Sequence, residues 1–170
     1  NWTSGNFITL KALGIGFGDE IITTPMSFIA TSNTIIQSGA IPVFVDVEEE
    51  TGNINVEKIE SAITEKTKAI IPVHLYGQMC DMKAINEISR KYNLFVIEDA
   101  AHCIEGQRDG VRPGQLSDAA VFSFYATKNI TSGEGGAIVT NDEKLYDNLL
   151  KYRLHGMSKG AAERHTAKYQ

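Results

Sequence analysis

Positive charge is in short supply: 16 lysine and arginine residues stand against 21 aspartate and glutamate residues, a net charge of -5. No basic excess is left to neutralise a phosphate backbone or an anionic membrane surface, so nucleic acid is not an expected partner. Long apolar runs are missing too. No stretch approaches the roughly 20 residues that a spanning helix needs. The opening Asn1-Trp2-Thr3-Ser4-Gly5 lacks the basic and apolar layout of a secretion signal, so a cytoplasmic protein is expected. Cysteine is reduced to Cys80 and Cys103, which have neither metal-ligand spacing nor disulfide-scaffold surroundings and read as buried, reduced thiols. Four histidines, none at a short ligand spacing from another, make no zinc site. A Gly-x-Ser-x-Gly nucleophile elbow is absent as well.

What remains is the composition of an ordinary globular domain, 42% hydrophobic and 22% charged. Helical spacing of Phe7, Ile8, Leu10 and Leu13 predicts a helix over residues 3–13, stopped by Gly14-Ile15-Gly16-Phe17-Gly18. Alternating segments follow. Strands are expected at residues 20–23, 42–46, 69–73 and 94–97, with helices at 28–38, 56–63 and 81–92. Runs such as Ala69-Ile70-Ile71-Pro72-Val73 are apolar on both faces, as parallel strands covered by helices on each side must be. The fold class is therefore α/β, a mostly parallel sheet flanked by helices. Two further strands, residues 119–124 and 136–140, are separated by a glycine-containing gap too short for a helical crossover, which points to an antiparallel pair. A last helix is expected over residues 142–154, capped by Asn141 or Asp142, and residues 157–170 read as an exposed or poorly ordered tail.

Ligands of an open parallel sheet bind at the carboxyl ends of its strands. The polar residues there are Thr23, Thr24, Asp46, His74, Asp99 with His102, Ser123 with Lys128, and Thr140. Strand alternation turns Asp99 and its neighbour Glu98 to opposite faces, so one carboxylate faces a site; equally, Asp99 can cap the turn after it. Lys128 follows an apolar strand. Partial burial there would lower its pKa and make it nucleophilic towards carbonyls, although a loop lysine is usually a solvated charge. Thr3-Ser4-Gly5 at the mouth of the first helix suits a phosphate or serves as an ordinary cap. His74 reads as a packed histidine.

The segments Val96-Ile97-Glu98-Asp99-Ala100-Ala101-His102 and Phe122-Ser123-Phe124-Tyr125-Ala126-Thr127-Lys128-Asn129, with Gly135-Gly136-Ala137-Ile138-Val139-Thr140 after them, closely resemble the DegT/DnrJ-type sugar aminotransferases. Residues 14–20, 39–46 and 67–77 are similar to the same family in the same order. The resemblance implies the large cofactor domain of a fold type I transferase over residues 1–156, and pyridoxal 5'-phosphate as cofactor. It implies that Lys128 holds the cofactor as a Schiff base and serves as the proton-transferring base, while Asp99 pairs with the pyridine nitrogen. Ser123, Thr3 and Ser4 would bind the phosphate, Phe28 would stack on the ring, and His102 would lie beside it. The implied reaction moves an amino group, from glutamate, to a nucleotide-linked ketosugar. The Asp99-x-x-His102 pattern resembles the branch that acts on UDP-4-ketosugars.

Related enzymes are longer at both ends and work as homodimers with the site between subunits, so the chain reads as a fragment carrying the cofactor anchors. Two other readings stand beside this one: an inactive remnant or regulatory module of the family, and an unrelated flavodoxin-like domain, in which Asp99 and Lys128 would lie far apart.

Overall fold

The computed structural model describes residues 1–157; the tail expected at 157–170 lies, apart from Met157, outside the described residues. Helix α1 (Trp2–Ala12) starts where the Asn1 side chain accepts the Ser4 amide at 3.0 Å. It stops at Gly14, whose φ of 76° lets the chain fold back so that the Ile15 amide reaches the Leu10 carbonyl at 3.0 Å. There follow β1 (Glu20–Thr23), α2 (Ala30–Ser38), β2 (Ile41–Phe44), β3 (Thr67–Ile70), α3 (Met82–Tyr92), β4 (Phe95–Asp99), β5 (Ala119–Ser123), β6 (Gly136–Val139) and α4 (Glu143–Arg153).

The six strands form one sheet in the order β2-β1-β3-β4-β5-β6. All neighbours are parallel except β5 and β6, the antiparallel pair that the short connection foretold. Because alternate residues face opposite ways, the sheet builds two cores. One joins Ile22, Ile70, Val96 and Phe122 to Met82, Ile85 and Ile88 of α3. The other joins Ile21, Ala69, Ile97 and Val121 to Leu10 of α1 and Ile35 of α2. Each fully buried isoleucine stabilises the fold by roughly 1.5–3 kcal/mol relative to exposure. The α/β reading thus holds. Cys80 and Cys103 are buried free thiols, and among the described residues no helix is long and apolar enough to cross a membrane.

Local departures from the expected elements have local causes. Residues 56–63 form two single 3₁₀ turns, Val56–Lys58 and Glu60–Ala62, in place of one helix. The Asn55 side chain caps the first at the Glu57 amide, and the run of β-branched Val56, Ile59 and Ile63 is too short to establish an α-helical ladder. Strand β3 ends at Ile70, earlier than the expected 73, because Pro72 has no amide to give to the sheet, although its carbonyl still accepts the Asp99 amide at 2.9 Å. Helix α2 begins at Ala30, which leaves Phe28 in the preceding loop.

Candidate active site

The carboxyl ends of β4 and β5 and the entrance of α1 converge on a cavity of about 530 Å³, within the usual range for small-molecule sites. Thr3, Phe28, Asp99, His102, Ser123 and Lys128 all line it. Asp99 and Lys128 share one wall system, which excludes the flavodoxin-like alternative. Ser4 stands one residue further into α1, exposed and outside the lining, with its amide already taken by Asn1. The remaining strand-end candidates serve structure. Asp46 pairs with Lys58 at 3.1 Å on the surface, and the Thr23 and Thr140 hydroxyls donate to the Ile71 and Asp118 carbonyls.

Asp99 is 5% exposed at the tip of β4. Its Oδ1 accepts the Ala101 amide at 3.1 Å and its Oδ2 the Thr31 hydroxyl at 2.9 Å. Burial pushes its carboxyl up to about 6, against the pull of those two donors. Among the described residues no cation lies within ion-pairing distance of it. Lys128 follows a turn in which its amide donates to the Tyr125 carbonyl at 3.0 Å. Its amine makes no hydrogen bond or ion pair among the described residues. Partial burial lowers its pKa, with the Asp99 charge pulling the other way. His102 is likewise held below its ordinary value, first by burial and then by Lys128.

Glu98 faces away from the cavity, as strand alternation requires. Its carboxylate accepts from His74 Nε2 at 2.6 Å, the Gly114 amide at 2.8 Å and the hydroxyl of the partly buried Ser117. His74 is packed as expected: its Nδ1 accepts the Cys80 amide at 3.2 Å, which puts the ring proton on Nε2, towards Glu98. It also forms part of the cavity wall.

Three contributors escape a reading of the sequence. Thr31 is a helix threonine whose only distinction is the strand that α2 packs over. Trp2 lines the cavity from the first position of α1. Tyr76 stacks on His102, with centroids 5.9 Å apart and planes within 6°, from a left-handed backbone conformation of φ 53°. The glycine that follows it, Gly77 at φ 89°, is the one local sign of that tight turn.

A buried carboxylate short of a cation, an unengaged lysine of lowered pKa and a helix entrance with hydroxyls at one wall fit a single molecule. Pyridoxal phosphate, the cofactor that the family resemblance implies, is such a molecule, with a ring nitrogen that can be protonated, a carbonyl and a phosphate.

Residues 1–169 match the DegT/DnrJ/EryC1/StrS aminotransferase family. The chain is 50% identical over 165 residues to the spore coat polysaccharide biosynthesis protein SpsC of Bacillus subtilis, covering 97% of this chain and 42% of SpsC. It is 47% identical over 157 residues to the GDP-perosamine synthase of Caulobacter vibrioides, covering 92% of this chain and 42% of that enzyme. Among solved structures it resembles NtdA from Bacillus subtilis with the cofactor PMP bound, at a TM-score of 0.82 and 41% identity, over 88% of this chain and 34% of NtdA. The chain thus spans less than half the length of these relatives. On the match along its whole described length, the chain belongs to the DegT/DnrJ/EryC1/StrS aminotransferase family.

Proposed function

We propose that the protein is a pyridoxal phosphate-dependent aminotransferase that moves an amino group from glutamate to a nucleotide-linked ketosugar. The observation that carries the reading is the convergence of Asp99, Lys128 and the α1 entrance on one cavity. The bound cofactor would supply an electron sink for negative charge developing at the substrate carbon. Asp99 would hold the proton on the ring nitrogen, since a cationic partner offsets the cost of burying its carboxylate. Lys128, whose pKa burial lowers, would hold the cofactor at its carbonyl carbon with loss of water and, once displaced by the donor's amine, would take and return a proton at the substrate carbon. Thr3 and Ser123, which line the cavity, would hold the phosphate, and Phe28 and His102 would contact the ring.

The names of SpsC and GDP-perosamine synthase support a nucleotide-sugar substrate for polysaccharide synthesis. The Asp99-x-x-His102 pattern favours a UDP-linked 4-ketosugar, and the perosamine synthase likeness favours a GDP-linked one. A cytoplasmic homodimer completes the reading, with the reduced thiols Cys80 and Cys103 in keeping with that compartment. The test incubates the protein with pyridoxal phosphate, glutamate and either ketosugar, and looks for the amino sugar by mass spectrometry. Amino sugar from one nucleotide series supports the reading and selects the nucleotide; cofactor uptake with no product from either overturns the substrate.

A further inference from the structure

Tyr76 combines an exposed side chain with a constrained backbone. Its ring is 76% exposed, so burial contributes little to holding it, yet its φ of 53° lies in the left-handed region that a bulky residue rarely adopts. Strain of this kind persists only where the surroundings impose it. Here they do so on both sides of the turn. The buried Asn53 side chain accepts the Leu75 amide at 3.1 Å, the Cys103 thiol donates to the Gly77 carbonyl at 3.3 Å, and a Cβ on Gly77 would stand 3.1 Å from the His102 carbonyl oxygen. The turn is thus pressed against the backbone at His102, and it lays the Tyr76 ring parallel to the His102 imidazole, within 6°. His102 lines the cavity, whereas Tyr76 itself stays outside the lining. Neither ring nitrogen of His102 makes a hydrogen bond or ion pair among the described residues, so its ring plane is set by packing, and Tyr76 is the aromatic surface on which it stacks.

We propose that Tyr76 is a positioning residue of the site: its ring fixes the plane of the His102 imidazole and, through it, the seating of the cofactor ring. The inference rests on the pyridoxal phosphate reading above, and it adds a residue that acts on the cofactor without touching it. Such a role differs from a structural one in a measurable way. A left-handed position suits asparagine better than tyrosine, so removing the ring with Tyr76→Asn spares the fold and loosens the cofactor. A residue that serves the fold alone would show the reverse.

Tyr76→Asn is compared with Tyr76→Phe, which keeps the ring. Affinity for pyridoxal phosphate is measured by equilibrium dialysis, the seating of the bound cofactor by its visible circular dichroism, and the stability of the ligand-free proteins by urea midpoints. Tyr76→Asn is expected to lose about 2- to 10-fold in affinity, the effect of one aromatic pair, to change the dichroism, and to keep or raise the midpoint. Tyr76→Phe should restore affinity and dichroism. The same substitutions are then made in a His102→Ala background, where Tyr76→Asn should cause no further loss because its effect runs through the imidazole. A loss of equal size with and without His102, a lowered urea midpoint in Tyr76→Asn, or unchanged affinity and dichroism in that variant overturns the proposal while the cofactor reading stands. Absence of any uptake by the wild type overturns the cofactor reading and this inference together.

Discussion

The Thr31 hydroxyl donates to Asp99 Oδ2 at 2.9 Å across 68 positions of sequence, and accepts in turn from Ser27 Oγ at 2.7 Å. This relay is one of two donors that hold the buried Asp99 carboxylate in its charged form. Thr31→Val removes it and keeps the shape of the side chain. The Asp99 pKa should then rise further, and affinity for pyridoxal phosphate should weaken by about 10-fold or more, as expected for one hydrogen bond to a charged group. Equilibrium dialysis at neutral pH measures this; unchanged affinity would show that Thr31 only packs.

Asp99 also sets a pH dependence of stability in the ligand-free protein. Its folded pKa of about 6 lies above the ordinary 3.8, so the folded state binds the proton more tightly than the unfolded one. The contribution is therefore largest below pH 3.8 and is lost as pH rises through about 6, by about 3 kcal/mol for this group. Asp99→Asn should remove that part of the decline. Urea unfolding at pH 4 and pH 7 tests it: the gap between wild type and variant should widen in the variant's favour at pH 7, and parallel curves would contradict the assignment.

The His74–Glu98 pair is a structural support directly behind the site. His74→Phe takes one of three donors from a fully buried carboxylate and the acceptor from the Cys80 amide. A destabilisation of about 1–3 kcal/mol is expected, because the buried Glu98 side chain loses a donor and the Cys80 amide loses its acceptor. Denaturant midpoints measure it, and a change below about 0.5 kcal/mol would show that the pair does not support the fold.

Much of this architecture is legible in the residues. Ala69, Ile70 and Ile71 are buried on both faces as their apolar run implies, and the brief gap before Gly136 announces the antiparallel β6. Asp99, Ser123 and Lys128 stand at strand ends, where open sheets place ligands. Contacts made by packing are less visible. Thr31 acquires its role only because α2 lies over the tip of β4, and a threonine in a helix carries no mark of that. The entrance of α1 is visible, but which residue caps it depends on the Asn1 side chain reaching the Ser4 amide, so Ser4 reads from sequence as a phosphate contact while the structure leaves it outside the lining. Spacing of Val56, Ile59 and Ile63 is the same for one helix as for two 3₁₀ turns, and the Asn55 cap helps to decide between them.

The central claim is that Lys128 is the residue that bonds to the cofactor. The protein is mixed with pyridoxal phosphate, reduced with borohydride to make any imine permanent, digested and analysed by mass spectrometry. The cofactor's mass is expected on the peptide carrying Lys128, whose amine makes no other bond among the described residues and has its pKa lowered by burial, and none is expected on Lys128→Ala. A label spread over surface lysines such as Lys58 and Lys91, and unchanged by Lys128→Ala, would contradict it.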